Sequence, residues 1–219
     1  MKKIAVIDYG MGNLHSVMKG LAKVKVPAVL TDKPAVIKKC SGILLPGVGA
    51  FNDAMKEIKK RKLLSFLKQR SAQGVPFMGI CLGMQLLFDE SEEFGKHKGL
   101  GLISGTVRRF TGKGLKIPHM GWNHGKIEKK STLLKGIKDN YLYYFVHSYR
   151  VIPGNKECIL TSTEYGGIKF ASSVEQGNVC GFQFHPEKSG EPALKIYGNF
   201  YRKCMEKKSK SKTEDRRQK

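Results

Sequence analysis

The sequence predicts an α/β fold: a central, mostly parallel sheet with helices on both faces and an antiparallel extension. Three observations carry this. Up to Phe88, short apolar runs alternate with stretches of helical periodicity, the pattern of strands joined by covering helices. After Gly99 the texture changes to short alternating runs separated by glycine turns, which read as strands, many of them antiparallel. The 219 residues, 40% of them apolar, suffice for one packed core, and α/β domains of this length commonly form a single unit.

The elements follow in order. IAVIDYG is a short apolar strand ending at Asp8, followed by the turn Gly10-Met11-Gly12-Asn13 and by Leu14, Val17, Met18 and Leu21 at helical spacing. AVLTD (28–32) is a second strand, and GILLPGVGAF (42–51) is a buried strand that breaks into a Pro/Gly loop. One long amphipathic helix is expected next, with Ala54, Ile58, Leu63, Leu64 and Leu67 apolar among lysines. VPFMGICLGMQLLF (75–88) predicts a strand that meets a sharp turn and leaves as a helix. Beyond Gly99 the expected strands are TVRRF (106–110), YLYYFVHSYRV (141–151), ILTSTEY (159–165), KFASSVE (169–175) and NVCGFQFH (178–185), while PHMGWN (118–123) reads as a loop. A helix from about 192 to 205 closes the fold with Ala193, Ile196, Phe200 and Tyr201 on one side. Residues 204–219 are expected to form a frayed, solvated basic tail, since KKSKSKTEDRRQK has no apolar residue to pack.

Composition narrows function by exclusion. No apolar run approaches the ~20 residues needed to cross a bilayer, and the N-terminus is charged too soon after its apolar run for a signal peptide. A soluble, cytoplasmic protein is expected. Cys40, Cys81, Cys158, Cys180 and Cys204 are odd in number and widely spaced, which fits neither a disulfide framework nor a zinc site, and a reducing compartment suits them. Lys and Arg total 40 against 18 Asp and Glu, and the resulting +22 keeps nucleic acid or polyanion binding as a rival reading. From Arg202 onward nine basic and three acidic residues supply +6 of it; the rest is read mostly as solvated lysine faces with a share in docking.

GICLG (79–83) has the form of a nucleophile elbow between a predicted strand and a predicted helix. Side chains at the flanking glycines would clash with neighbouring backbone, and a helix start favours thiolate at Cys81. An arbitrary cysteine is more often a buried core residue; the strand, elbow and helix context makes Cys81 a candidate nucleophile. Such a nucleophile needs a base, and the base an orienter. In QFHPEK (183–188) His185 and Glu187 stand two apart, so in an extended segment both point to one face, with Pro186 stiffening the link. The carboxylate then holds the imidazole tautomer while the other ring nitrogen faces Cys81. Alone, HPE is an ordinary surface turn; with the elbow it completes a Cys-His-Glu triad.

GICLGMQLLF together with QFHPE resembles the class I (triad) glutamine amidotransferase family. PGVGAF, PHMGWN and VHSY narrow the resemblance to the branch of glutaminase subunits that serve imidazole glycerol phosphate synthesis, since most relatives have a second glycine where Val48 stands. It spans about residues 3–203, so 1–203 is read as one amidotransferase domain. The resemblance implies glutamine hydrolysis with Cys81 as nucleophile, His185 as general base and then acid, and Glu187 as orienter. It implies an oxyanion site at the backbone N–H groups of Leu82 and Val48. Gly49, Gln85, Glu93, Ser148 and Tyr149 match positions that hold the α-amino and α-carboxylate ends of glutamine, with Glu92 the alternative to Glu93. It implies a heterodimer with a (βα)8-barrel cyclase that receives the ammonia in histidine biosynthesis, and Asn13, Trp122, Asn123 and Lys188 match positions near that junction. Trp122 either anchors the interface or plugs the core.

Other readings are weaker. Gly10-Met11-Gly12 with Asp32 downstream invites a dinucleotide site, but His15 stands where the third glycine belongs, and no cofactor is expected. His119, His124 and His147 lack metal-ligand spacing, so no metal is expected, and His119 and His147 are read as structural or interface residues. Tyr143, Tyr144, Phe145 and Tyr149 read as core or pocket wall. Three alternatives remain open: a paralogous glutaminase feeding a sugar-amidinating synthase, a cysteine hydrolase or peptidase of the same fold, and a polyanion-binding protein.

Overall fold

The computed structural model describes the backbone of residues 2–217 and the side chains of residues 2–206. The first part alternates strands and helices: β1 (Ile4–Ile7), α1 (Leu14–Lys23), β2 (Ala28–Thr31), α2 (Pro34–Lys39), β3 (Gly42–Leu45), α3 (Phe51–Lys60), α4 (Leu63–Ala72), β4 (Phe77–Ile80) and α5 (Leu82–Leu86). Strands then dominate: β5 (Phe88–Ser91), β6 (His97–Lys98), β7 (Ile103–Arg109), β8 (His119–Ile127), β9 (Tyr141–His147), β10 (Tyr149–Pro153), β11 (Ile159–Tyr165), β12 (Ile168–Gln176) and β13 (Val179–Phe182). α6 (Gly190–Arg217) closes the chain.

One sheet has the order β2-β1-β3-β4-β13-β12-β11-β8-β9, parallel from β2 to β13 and antiparallel from there to β9. A second, four-stranded sheet has the order β10-β7-β5-β6. β1, β3, β4 and β13 are buried at every position, as strands covered on both faces must be. Strand alternation deals their side chains into two cores. Ala5, Ile7, Ile43, Leu45 and Phe77 pack with Ile58 and Leu67 of α3 and α4; Ile4, Val6, Leu44, Met78 and Phe182 pack with Leu21 of α1 and Phe200 of α6.

The differences from the sequence reading have physical causes. The expected long helix is two, because the cationic run 59–62 gathers at the C-terminal end of α3, where positive charge is favoured, and Lys62 takes a left-handed conformation with φ 57°. α5 is only five residues long and runs almost directly into β5, so the helix-dipole argument for a thiolate at Cys81 loses most of its force. The segment 141–151 is two strands belonging to different sheets, changing over at Ser148. PHMGWN is not a loop: it enters β8, where the usual pattern is inverted, with His119 buried and Met120 and Trp122 exposed.

HPE is not extended either. Pro186 starts a 3-10 turn over Pro186–Lys188, consistent with its fixed φ. At the C-terminal end, α6 continues to Arg217 past the expected stop near 205, through a segment with no Gly or Pro to end it. Cys204 is buried and Met205 packs against the core, so packed residues extend beyond Lys203. Whether side chains from 207 onward pack on anything lies outside the described residues. Among the described residues no helix is long and apolar enough to cross a membrane.

Candidate active site

β4 ends at Ile80, and Cys81 takes φ 55° and ψ −115°, a conformation strained for any residue with a side chain. Glycines make the turn possible. A Cβ on Gly79 would lie 2.4 Å from the Gly83 carbonyl oxygen, and one on Gly83 only 1.9 Å from that of Leu45. The elbow thus packs backbone against backbone on the end of β3. The PGVG loop follows immediately, secured by the Tyr9 hydroxyl donating to the Pro46 carbonyl at 2.9 Å.

His185 follows β13, whose register beside β4 brings it alongside the elbow. Its N–H donates to the Tyr144 carbonyl at 3.1 Å and its carbonyl accepts from the Ser189 hydroxyl at 2.6 Å. The 3-10 turn carries Glu187 back so that Oε1 lies 2.8 Å from His185 Nδ1, and the Tyr197 hydroxyl donates to Oε2, also at 2.8 Å. His185 and Glu187 therefore meet as expected, by a turn rather than by strand alternation. Among the described residues His185 Nε2 is buried without a hydrogen-bond partner, and the His185 ring lines the same cavity as Cys81.

The electrostatics favour a charged pair. Burial disfavours imidazolium at His185, but the adjacent Cys81 sulfur and Glu187 carboxylate outweigh it and push the pKa up to about 10. Burial works against ionised Glu187 as well, yet its hydrogen bond to His185 holds it below the usual carboxylate range.

Val48, Gly49, Cys81, Leu82, Gln85, Glu93, Ser148, Tyr149 and His185 all line one cavity of about 350 Å³, joined by Pro118, Val146 and His147. Glu187 stands behind His185. Of the two acidic candidates Glu93 lines the cavity and accepts from the Phe51 N–H at 2.6 Å, whereas Glu92 is not part of that lining and pairs with Arg108 at 3.0 Å. Gln85 donates through Nε2 to the Tyr149 carbonyl at 3.1 Å and to Gln183 Oε1 at 3.0 Å.

Two contributors escape the sequence reading. Gln183 is fully buried, with Nε2 3.8 Å from Cys81 Sγ, and its signal was a polar residue inside an otherwise apolar strand. Tyr197 sits in the apolar stripe of α6, where nothing distinguishes it from core.

The four junction candidates divide. Trp122 is 56% exposed on β8, edge-on to Tyr144 at 6.0 Å, and Lys188 Nζ lies 5.5 Å from the centre of the same Tyr144 ring. Trp122 does not plug the core. Asn13 caps α1, accepting from the Ser16 N–H at 3.2 Å, and Asn123 turns its amide toward His119 and the Glu164 carbonyl.

A family model, glutamine amidotransferase class-I, matches residues 5–204. Imidazole glycerol phosphate synthase subunit HisH of Moorella thermoacetica is 46% identical over 200 residues, covering 91% of this chain and 94% of that protein. The protein of the same name from Aquifex aeolicus is 48% identical over 203 residues, covering 92% and 97%. Among solved structures, PurLQS from Thermotoga maritima aligns with TM-score 0.70 at 20% identity over 91% of this chain and 98% of that one, a likeness of fold. The glutaminase domain of Trypanosoma brucei CTPS, solved with bound acivicin, aligns with TM-score 0.64 at 20% identity, covering 94% and 92%.

Proposed function

Because the chain belongs to the glutamine amidotransferase class-I family, we propose that it hydrolyses glutamine to glutamate and ammonia and hands the ammonia to a (βα)8-barrel cyclase that makes imidazole glycerol phosphate and an aminoimidazole carboxamide ribotide. The observation that carries this reading is the single cavity in which Cys81, on a strained elbow, meets the buried Nε2 side of a His185 anchored by Glu187. The near-full-length relatives named imidazole glycerol phosphate synthase subunit HisH favour this branch over a sugar-amidinating paralogue.

The Cys81 thiolate attacks the side-chain carboxamide carbon of glutamine. Negative charge gathers on the carboxamide oxygen and is met by the N–H of Leu82 and of Val48. The tetrahedral adduct collapses as imidazolium at His185 gives its Nε2 proton to the leaving nitrogen, and ammonia departs. His185 then takes a proton from water, whose oxygen attacks the thioester; the adduct expels the Cys81 thiolate, glutamate leaves, and thiolate beside imidazolium is restored. Glu187 orients the ring throughout. Glu93 offers a carboxylate to the α-ammonium group of glutamine, while Gly49, Gln85, Ser148 and Tyr149 frame its α-carbon end.

Ammonia is useful to a synthase only while unprotonated, and near pH 7 bulk water converts most of it to ammonium. A sealed interface avoids this. Val146 lines the cavity, with its carbonyl 3.9 Å from Cys81 Sγ, and pairs in register with exposed Met120. From there the β8–β9 ribbon exposes Trp122 and Leu142 beside Tyr144 and Lys188, an apolar face continuous with the site and suited to docking the cyclase as a heterodimer in the cytoplasm.

Val48 stands exposed at the cavity mouth, so its loop is suited to gating the oxyanion site. Glutamate release is expected to be slow for the chain alone and at least about a hundredfold faster, roughly 2.7 kcal/mol of barrier, when the cyclase and its ribonucleotide substrate are present. Full activity alone would remove the gate. No glutamate release in either condition, with salt-dependent DNA binding instead, would favour the polyanion reading.

A further inference from the structure

His119 and His147 are adjacent on paired strands and both are buried. His119 Nδ1 lies 2.9 Å from His147 Nε2, and His147 Nδ1 lies 2.8 Å from the Tyr149 carbonyl oxygen. His119 Nε2 lies 3.2 Å from Asn123 Nδ2. These contacts fix every proton. A carbonyl only accepts, so His147 carries its hydrogen on Nδ1; in the neutral ring Nε2 then accepts, so His119 donates from its own Nδ1. His119 Nε2 is left as an acceptor, and an amide nitrogen is what faces it.

The orientation of the Asn123 amide is pinned independently. Its Nδ2 also donates to the Glu164 carbonyl at 2.8 Å, and its Oδ1 accepts from the His124 N–H at 2.8 Å. A flipped amide would set donor against donor and acceptor against acceptor at those two contacts. The imidazole of His119 is sandwiched between Phe145, at 4.8 Å, and Tyr165, at 4.1 Å, both nearly parallel to it, which holds its plane.

We propose that Asn123, His119 and His147 form a one-way chain of hydrogen bonds running from the docking ribbon to the Tyr149 carbonyl, and that all three are positioning residues for the Ser148–Tyr149 wall of the glutamine cavity. The chain ends where β9 leaves one sheet and β10 enters the other; there the Ser148 carbonyl accepts from the Phe110 N–H at 3.0 Å, while the Tyr149 carbonyl takes its hydrogen bonds from side chains. The Tyr149 carbonyl receives His147 from one side and Gln85 from the other, so its place depends on both donors. Burial keeps both rings neutral, lowering His119 to about 4 and His147 to about 3. A proton added to the pair would put a donor on His119 Nε2 or a second donor between the rings, and either breaks a link. The consequence for glutamine affinity rests on the reading of the cavity given above.

The test has a spectroscopic and a kinetic arm. In long-range proton–nitrogen spectra of the full chain labelled with 15N-histidine, His119 and His147 are expected to carry hydrogen on Nδ1, the minor tautomer of histidine in water. Either ring protonated only on Nε2 overturns the chain. In Asn123→Asp a carboxylate replaces the amide, so His119 Nε2 is expected to gain a hydrogen; an unchanged ring overturns the link to Asn123. In the complex with the cyclase, His147→Gln, which lacks a donor at the Nδ1 position, is expected to raise the glutamine KM about tenfold with kcat within about twofold. His147→Asn, whose amide nitrogen overlays Nδ1, is expected to recover at least half of that loss. Equal effects of the two, or a loss confined to kcat, overturn the positioning role. If the wild-type complex fails to hydrolyse glutamine, the catalytic reading fails by itself, and the imidazole signals still decide the chain.

Discussion

At the elbow, Gly79 and Gly83 let β4 and α5 press backbone against backbone on Leu45, so Cys81 is held by the absence of side chains around it. Across the cavity, Ser148 and Tyr149 sit at a break between two sheets, and their wall is held by what side chains add: His147 and Gln85 converge on one carbonyl. The two walls should therefore fail in opposite ways. The elbow survives loss of its own functional group but not an added methyl, while the opposite wall is harmed by loss of a donor.

The largest expected effect separates chemistry from scaffold. Cys81→Ala is expected to slow glutamine hydrolysis at least about a thousandfold, roughly 4 kcal/mol of barrier, while unfolding stability stays within about 0.5 kcal/mol of wild type. Hydrolysis above about a tenth of wild type would remove Cys81 as nucleophile. Gly83→Ala should do the reverse. Its methyl would meet the Leu45 carbonyl oxygen at 1.9 Å, and backbone cannot swing aside as a flexible side chain would. A stability loss of about 3 kcal/mol or more is expected in urea unfolding; a loss below about 1 kcal/mol would break the contrast between the walls.

The same contrast explains what could be seen in the sequence. Glycines at 79 and 83 and Cys81, His185 and Glu187 stand in short local motifs, so the elbow and the grouping of these three side chains were legible, as were the fully apolar strands of the parallel core. The opposite wall was not. Its register depends on a change of sheet at Ser148 that an unbroken apolar run such as YLYYFVHSYRV hides. β8 was missed because its buried face carries His119 while its apolar residues point outward, so periodicity alone argued against a strand. Tyr197 was invisible for a simpler reason: in α6 a tyrosine that anchors Glu187 has the same spacing as one that fills a core.

Behind His185 the two modes of support meet, and a smaller effect probes them. Glu187→Gln should lower the His185 pKa, because a carboxylate that favours imidazolium is gone. His185 is raised from 6.5 to about 10, so its contribution to stability is complete below 6.5 and lost as pH rises toward 10; Glu187 is lowered from 4.5, so its contribution is present above 4.5 and lost in acid. The stability gap between wild type and Glu187→Gln is thus expected to be widest from about 4.5 to 6.5 and to shrink on either side, read by urea unfolding at pH 3.5, 5.5 and 9.5 (roughly spaced values around those pKa limits). A gap that widens toward pH 9.5 would contradict the pairing. Tyr197→Phe keeps the charge and removes one hydrogen bond to it, so a stability loss of about 2 kcal/mol is expected, with a smaller loss of turnover than Glu187→Gln.

The smallest effect concerns the far end of α6, where the elbow's device recurs. Gly42 in β3 lacks a side chain, and a Cβ there would lie 2.4 Å from Cys204 Sγ, so the helix seats Cys204 into a space that glycine leaves open. Residues 207–219 carry seven basic and two acidic groups and no apolar one. Truncation after Glu206 is expected to change unfolding stability by no more than about 0.5 kcal/mol and leave glutaminase turnover with the cyclase unchanged, while weakening retention on an anionic resin. Truncation after Lys203 removes Cys204 and Met205 from the core and is expected to cost about 2 kcal/mol. If the two truncations are equally mild, the seat at Gly42 contributes little. If the shorter cut alone already slows turnover, the basic segment acts on the partner or the site.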